Sequence, residues 1–407
     1  MKKVEVLFHG WGQDWVLGTL ADNGSSLLFE YSAQALQRGI EFSPLHLKLR
    51  SQAYSGFPQY LGGLPGLVSD ALPDGWGLLL MDKVFLKSGR DPSRLSPLDR
   101  LSFIGERAMG ALAFRPPDDL GLTAFDLSLL ALAQAAQEVI DGRDTQALKA
   151  LALLGGSPQG ARPKVLVQFD PVSRMISSHE QGAGTPWLLK FQAGGEHPEV
   201  CAIEHAYSVM ARTCGLQMPA TQLFPIDQHL AAFGVQRFDR VAGMRVPVHS
   251  LAGALHADFR MPSLDYKTVL RATAAITHDQ REVQKAFLAC VFNVAFNNRD
   301  DHAKNFSFCM TQGMEWKLAP AYDLTFNVGP RGQHQTSVMG EGQAPGRSHL
   351  LALAKDCQVP HKFALGCIAE VCAKADLLAP LLDQAGVRKK TQATVIAAVQ
   401  ANLRRLA

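Results

Sequence analysis

An apolar run over residues 287–296 is interrupted by Asn298-Arg299-Asp300-Asp301-His302-Ala303-Lys304-Asn305-Phe306-Ser307, and Leu318-Ala319-Pro320-Ala321-Tyr322-Asp323-Leu324 follows soon after. Polar residues this dense rarely break a buried run without chemistry, so the two segments read together as a reacting centre. Asp300 and Asn305 stand in an Asp-x4-Asn pattern. At that spacing a phosphoryl-transfer loop uses its Asp to orient a hydroxyl nucleophile and its Asn to hold a metal ion. A second metal-holding carboxylate is then required, because Mg²⁺ on phosphates takes few protein ligands and those are hard oxygens. Asp323, in a short apolar run with turn residues around it, is the candidate. The plainer alternative is that Asp300, Asp301 and Asn305 cap a helix, as Asx residues routinely do. The set as a whole, with Asp323 following, favours chemistry.

With 407 residues, 47% of them hydrophobic, the chain can bury a sizeable core and divide into two or three structural units. Its formal charge of +3 does not announce nucleic-acid binding. The densest basic cluster, Arg388-Lys389-Lys390 with Arg404-Arg405, flanks the apolar periodicity of Val395, Ile396, Val399 and Leu403 and reads as the solvated face of a C-terminal helix. Seven scattered cysteines without CxxC spacing argue against a disulfide framework or a zinc site and fit a reducing cytosol. The N-terminus meets Glu5 before any long apolar run, against a signal peptide. The most apolar stretch, residues 127–140, is too short and too polar to span a bilayer and reads as a packed helix.

Short β-favouring runs at 4–8, 15–20 and 26–31, separated by Gly10, Gly12 and Asn23-Gly24, predict an antiparallel meander. The module continues through Leu72-Pro73-Asp74-Gly75-Trp76-Gly77 into a helix over 78–86 and closes near Pro116-Pro117. Helical periodicity over 124–154, interrupted near Gly142, ends in a glycine-rich segment, 154–164, that precedes a strand at 165–169. Neither GxxxxGK[ST] nor GxGxxG is present, so by itself this segment is a plain loop. Its weight comes from Trp187-Leu188-Leu189-Lys190-Phe191, a buried strand carrying one lysine. That lysine needs a counter-charge, and Glu204 on a helix over 202–214 is placed to supply it, although Lys190 could instead snorkel to solvent. A further strand, 233–238, runs into the charged turn Asp239-Arg240, and the pattern is mostly helical from Ser263 onward.

Glycine-rich segment, strand lysine, helix glutamate, hinge strand, Asp-x4-Asn and second Asp, in that order, resemble the HipA family, the kinase toxins of bacterial HipBA toxin–antitoxin modules. The resemblance runs over nearly the whole chain. Leu64-Pro65-Gly66, residues 72–77, Phe103-Ile104-Gly105-Glu106 and Met109-Gly110-Ala111-Leu112 look like the family's N-terminal domain; Gly160-Ala161-Arg162-Pro163-Lys164 and residues 300–307 look like its kinase signatures. It implies an α+β fold: a protein-kinase-like two-lobed core, with a β-rich N-lobe and a mostly helical C-lobe, preceded by a small β-rich N-terminal subdomain. The implied domains are 1–120, 121–245 and 246–407.

Carried over by residue, the resemblance implies Asp300 as the catalytic Asp, with Asn305 and Asp323 holding Mg²⁺. Gly160, Ala161, Lys164, Lys190, Glu204 and Lys304 would serve ATP, and Gln236 and Phe238 would offer backbone groups to adenine. Ser157 matches the serine the family autophosphorylates, an off-switch if added phosphate expels the loop, although it also reads as an ordinary turn serine beside Pro158. Pro158 and Pro163 each remove an N–H that could have met a phosphate oxygen. Asp301 beside Asp300 leaves the catalytic assignment resting on spacing alone, with bracing of His302 or an arginine as the other role for Asp301. The resemblance further implies a cytoplasmic Ser/Thr kinase acting on an aminoacyl-tRNA synthetase, glutamyl-tRNA synthetase first, to halt translation and cause growth arrest or persistence. It implies a HipB-like helix-turn-helix antitoxin and, through it, operator DNA, with no membrane. A kinase of a lipid or small molecule, and a non-catalytic co-repressor, are the alternatives.

Overall fold

The computed structural model describes residues 2–118, 128–143, 145–156, 158–177, 182, 184–226, 230–262 and 264–407; Ser157 lies outside these. The chain forms two compact units, Met1–Pro198 with Phe224–His249 and Glu199–Leu223 with Ser250–Ala407.

The first unit opens with the expected meander. Strands Lys2–Phe8, Trp15–Asp22 and Leu27–Tyr31 pair antiparallel in sequence, and Leu112–Arg115 adds to the free edge of the first. Along Lys2–Phe8 the alternation of exposed and buried residues runs from Lys3 to Val6 and then fails, Leu7 and Phe8 both being buried. A register shift between Val6 and Leu7 explains this, since a bulge turns the following side chains. Phe8 then packs on Trp15 and Phe42 with ring centroids 5.0 and 4.9 Å away. Gly18 allows that sheet to close: a Cβ there would meet the Phe29 ring at 2.7 Å.

A second antiparallel sheet follows in the same unit. Lys164–Phe169 pairs with Thr185–Lys190, which pairs with Ala231–Gln236, and Ile176–Ser177 caps the outer edge. Phe169, Trp187 and Phe224 meet edge-on with centroids 4.9 to 6.3 Å apart, an arrangement favoured by the aromatic quadrupole. The helical stretch expected over 124–154 is two helices, Leu129–Ile140 and Leu148–Gly155; residues 124–127 lie outside the described ones.

The second unit is mostly helical, as expected. Its centre is Gln280–Ala295, whose Val283, Ala286, Phe287, Cys290, Val291 and Phe292 are all buried. Tyr266–Thr277, His361–Lys374 and Lys389–Leu406 pack around it. In Lys389–Leu406, Val395 and Val399 are buried while Ile396 and Leu403 are half-buried. Asn402 on this helix donates to the Ala295 carbonyl (3.4 Å) and Asn297 Oδ1 (3.2 Å), so the C-terminal helix braces the end of the central one. Among the described residues no helix is long and apolar enough to cross a membrane. None of the seven cysteines is in a disulfide. Strand-rich first unit and helical second unit together make the expected α+β class.

Candidate functional site

In the second unit the central helix ends at Ala295, and Asn297, two residues on, adopts a left-handed φ of 56°. Asn tolerates that conformation better than most residues, and it turns the chain into the acidic loop. A hairpin of Ser307–Met310 with Trp316–Leu318 then returns the chain, so residues 318–324 run back beside 303–307. Glu282 accepts the Leu318 N–H at 3.0 Å, and Tyr322 Oη lies 2.6 Å from both the Lys304 carbonyl and Ser307 Oγ. The two segments singled out in the sequence are thereby joined.

Asp300 and Asp301 receive opposite treatment. Asp301 is 1% exposed and fully engaged. Its Oδ1 accepts the backbone N–H groups of Gln335 (2.9 Å) and Thr336 (3.2 Å); its Oδ2 accepts Tyr266 Oη (2.9 Å) and lies 2.8 Å from His334 Nδ1. The expectation that Asp301 braces His302 or an arginine is corrected: a phenol, an imidazole and two backbone N–H groups from distant segments surround it. Nor does the Asx set cap a helix. The one-turn helix Ala303–Asn305 is capped by the His302 ring.

Asp300 keeps a side chain that is 41% exposed. Asn305 Nδ2 donates to its backbone carbonyl at 2.6 Å, the physical expression of the Asp-x4-Asn spacing, and this leaves the Asn305 amide oxygen for a cation. Asp300 Oδ1 accepts Gln335 Nε2 at 2.6 Å, and His302 Nε2 stands 3.9 Å from it. Burial raises the Asp300 carboxyl above the ordinary carboxylate range; Asp323 and Asp301 push the same way, against His302 and the Gln335 hydrogen bond. Asp323 itself holds a left-handed φ of 57°, a strained value of the kind that collects at functional sites. Among the described residues no three His, Cys, Asp or Glu side chains form a metal cluster. Asp323 and Asn305 are hard oxygen ligands of the kind Mg²⁺ takes, one or two carboxylates together with phosphate oxygens. Lys304 lies on the same loop, its Nζ 3.9 Å from the Phe259 ring centroid.

In the first unit, Lys164 and Lys190 face each other across the ladder, and Phe233 is the next residue in register. Both lysines are buried, at 4% and 7% exposure. Like charges directly opposite on one sheet face disfavour such a pair by themselves, so this register is one that other contacts of the fold must support. Lys190 Nζ also lies 5.9 Å from the Phe233 ring, and Lys164 Nζ donates to the Gln159 carbonyl.

The glycine-rich segment is held by residues 70–77. Trp76 N–H donates to the Gly160 carbonyl (3.1 Å), its indole N–H to the Lys164 carbonyl (2.9 Å), and the Asp74 carboxylate accepts the Gly160 N–H. A Cβ on Gly75 would meet Ala161 Cα at 2.7 Å, so only glycine permits this approach. Asp74 and Trp76 escaped the sequence reading as loop contacts; a tryptophan between two glycines was the available signal. Ala161 is exposed, while Gln236 and Phe238 are half-buried at the end of strand Ala231–Gln236 and just beyond it. Glu204 is fully buried on helix Val200–Thr213 of the second unit. Gln335, Tyr266 and His334 belong to no motif and were also missed.

One other constellation has a hydrolytic order. Ser43 Oγ lies 2.9 Å from His249 Nε2, whose Nδ1 lies 2.6 Å from Asp70 Oδ2. Ser43 is 1% exposed, so no substrate reaches it and the three residues serve as a buried cross-link.

The profile of the HipA-like C-terminal domain matches residues 156–378, and that of the HipA N-terminal domain matches residues 10–115. Among solved structures, HipA of Shewanella oneidensis MR-1, from a complex of that toxin–antitoxin system's HipA, HipB and operator DNA, superposes with a TM-score of 0.69. It is 17% identical, over 99% of this chain and 96% of that one, and shows the shared fold. The Helicobacter pylori proinflammatory kinase CtkA matches at a TM-score of 0.42 and 11% identity, over 59% of this chain and 93% of its own. No curated protein sequence matches. With the C-terminal profile alone covering more than half of its length, this chain belongs to the HipA family.

Proposed function

We propose that this chain is an ATP- and Mg²⁺-dependent Ser/Thr protein kinase acting as the toxin of a toxin–antitoxin module. The observation that carries the reading is the division of labour within the acidic loop. Asp301 is saturated by structural donors, whereas Asp300 stays half-exposed beside Asn305 and within the field of Asp323. Asp300 accepts the proton of an acceptor hydroxyl as that oxygen bonds to the γ-phosphorus and the bond to ADP breaks. Asn305 and Asp323 would hold Mg²⁺, which when bound neutralises charge on the phosphates. In this reading Lys164 and Lys190 are the buried cations that would serve the nucleotide, and Lys304 is a cation on the loop itself. Gly160, Ala161, Gln236 and Phe238 belong to the nucleotide side of the reading, and Glu204 to the positioning of the lysine. Catalysis is by placement and electrostatics.

Family membership supplies the rest of the proposal. The acceptor is an aminoacyl-tRNA synthetase, glutamyl-tRNA synthetase first, in the cytoplasm. A HipB-like antitoxin brings the chain to operator DNA, as in the Shewanella assembly, and autophosphorylation at Ser157 is the off-switch. The test is phosphate transfer from ATP and Mg²⁺, read by intact mass on the protein and its Asp300→Ala variant, with and without glutamyl-tRNA synthetase and tRNA. One phosphate gained by the synthetase, and lost in the variant, is the expected result. Gain on the chain alone would leave a kinase with another target. No transfer anywhere would overturn the reading in favour of a non-catalytic partner of the antitoxin.

A further inference from the structure

We propose that Gln335 is the positioning residue that sets the orientation of the Asp300 carboxylate; this rests on the kinase reading above and names a part of that site no motif reveals. Gln335 touches both neighbouring acids at once. Its backbone N–H is shared between Asp301 Oδ1 (2.9 Å) and the Arg299 carbonyl (3.2 Å), while its side-chain Nε2 donates to Asp300 Oδ1 (2.6 Å).

The backbone that carries Gln335 is fixed from two sides. Thr336 N–H also donates to Asp301 Oδ1 (3.2 Å), and Thr336–Ser337 pairs in parallel with Leu264–Asp265, where Ser337 Oγ donates to Asp265 Oδ2 at 2.7 Å. The residue before it is held as well: His334 Nδ1 lies 2.8 Å from the buried Asp301 carboxylate. With three consecutive residues held, the glutamine arm reaches Asp300 from a fixed origin.

No other described residue does this for Asp300. His302 Nδ1 accepts the Lys304 N–H (3.2 Å), and its Nε2 is 3.9 Å from Asp300 Oδ1, too far for a hydrogen bond. Asn305 binds the Asp300 main chain and leaves its carboxylate alone. Among the described residues Gln335 is thus the one direct hydrogen-bond donor to that side chain, and it engages Oδ1 only. Oδ2 is left for the acceptor hydroxyl. Because a base must meet its proton within hydrogen-bond reach and in line, losing the clamp on Oδ1 lets the carboxylate rotate and lowers the productive fraction.

The experiment measures single-turnover and steady-state phosphate transfer by the full chain and its Gln335→Leu and Gln335→Met variants, each also in an Asp300→Ala background. Expected is a fall in kcat of about 10- to 100-fold with KM for ATP within about twofold of wild type. In the Asp300→Ala background the same substitutions should change nothing further, since Gln335 acts through Asp300. Unchanged kcat in both variants, a rise in KM with kcat preserved, or an equal loss in the Asp300→Ala background would each overturn the proposal while leaving the kinase reading intact. Loss of the cooperative thermal transition in both variants would make Gln335 a structural residue and overturn it as well. Absence of transfer by the wild-type protein would remove the kinase reading and this proposal together.

Discussion

In the first unit Asp239 is buried between two arginines: Arg237 grips it through Nε and an Nη at 2.8 Å each, Arg240 reaches it at 3.0 Å, and the Gly110 N–H donates at 2.8 Å. In the second unit Asp300 has one amide donor at its carboxylate and two other carboxylates in its field. Despite burial, the Asp239 carboxyl is driven well below the ordinary range by Arg237 and Arg240, whereas burial and neighbouring acids raise that of Asp300. The first carboxylate is neutralised by partners the fold provides. The second is left partly uncompensated, which costs stability and, on the proposed function, is what a base for the acceptor hydroxyl requires.

The largest effect expected from breaking this contrast is on rate. Asp300→Ala should lower phosphate transfer by about 10²- to 10⁴-fold, the usual worth of a positioned base, with the thermal transition preserved. Asp239→Ala should do the reverse: it leaves two buried guanidinium groups uncompensated and should cost about 3–5 kcal/mol in chemical denaturation. A depressed folded value means that the stability contributed by Asp239 is present above its unfolded value, near 3.8, and lost as pH falls through the folded one. Wild type and Asp239→Ala should therefore differ fully at neutral pH and converge only in strong acid. A constant difference down to that range would mean that the arginines do not stabilise this carboxylate.

What could be read in advance follows from distance along the chain. Asp-x4-Asn was legible because one hydrogen bond, Asn305 Nδ2 to the Asp300 carbonyl, spans it. Lys190 was legible as a charge in an apolar strand, but its cross-strand neighbour Lys164 depended on the register of the two strands, which local pattern does not fix. The meander, the second sheet and the helical second unit all follow from local periodicity. Gln335 reaches Asp300, and Tyr266 reaches Asp301, across 35 residues each, and neither carries a composition signal. The reading of Asp301 failed for a definable reason. It sought a cation for a buried anion, while the fold used a phenol, an imidazole and two backbone N–H groups.

Asp301 sits between the two extremes and sharpens the contrast. Asp301→Asn keeps size and shape but turns one acceptor oxygen into a donor facing donors, so it should cost about 1–3 kcal/mol. Through Gln335 and Thr336 it should also loosen the support of Asp300 and slow transfer. A variant as stable and as active as wild type would show that Asp301 is dispensable to the loop.

The smallest effect expected is also the one that tests the contrast most directly. Asp300→Asn retains an oxygen to accept the Gln335 amide while removing one charge from the field shared with Asp323 and Asp301. Because the folded carboxyl value is raised, the fold holds the Asp300 proton more tightly than the unfolded chain does, and the penalty for ionising it grows as pH rises through the folded value. At neutral pH, without nucleotide or Mg²⁺, Asp300→Asn should thus be more stable than wild type by about 0.5 kcal/mol, the repulsion being screened at a half-exposed site. The gain should vanish in acid, where both carry no charge at this position. Adding Mg²⁺ and ATP should then stabilise wild type at least as much as the variant, because the bound cation relieves the same repulsion. Thermal unfolding across pH measures all three, and an Asp300→Asn protein less stable than wild type at neutral pH would show that Asp300 is held as Asp239 is, for structure.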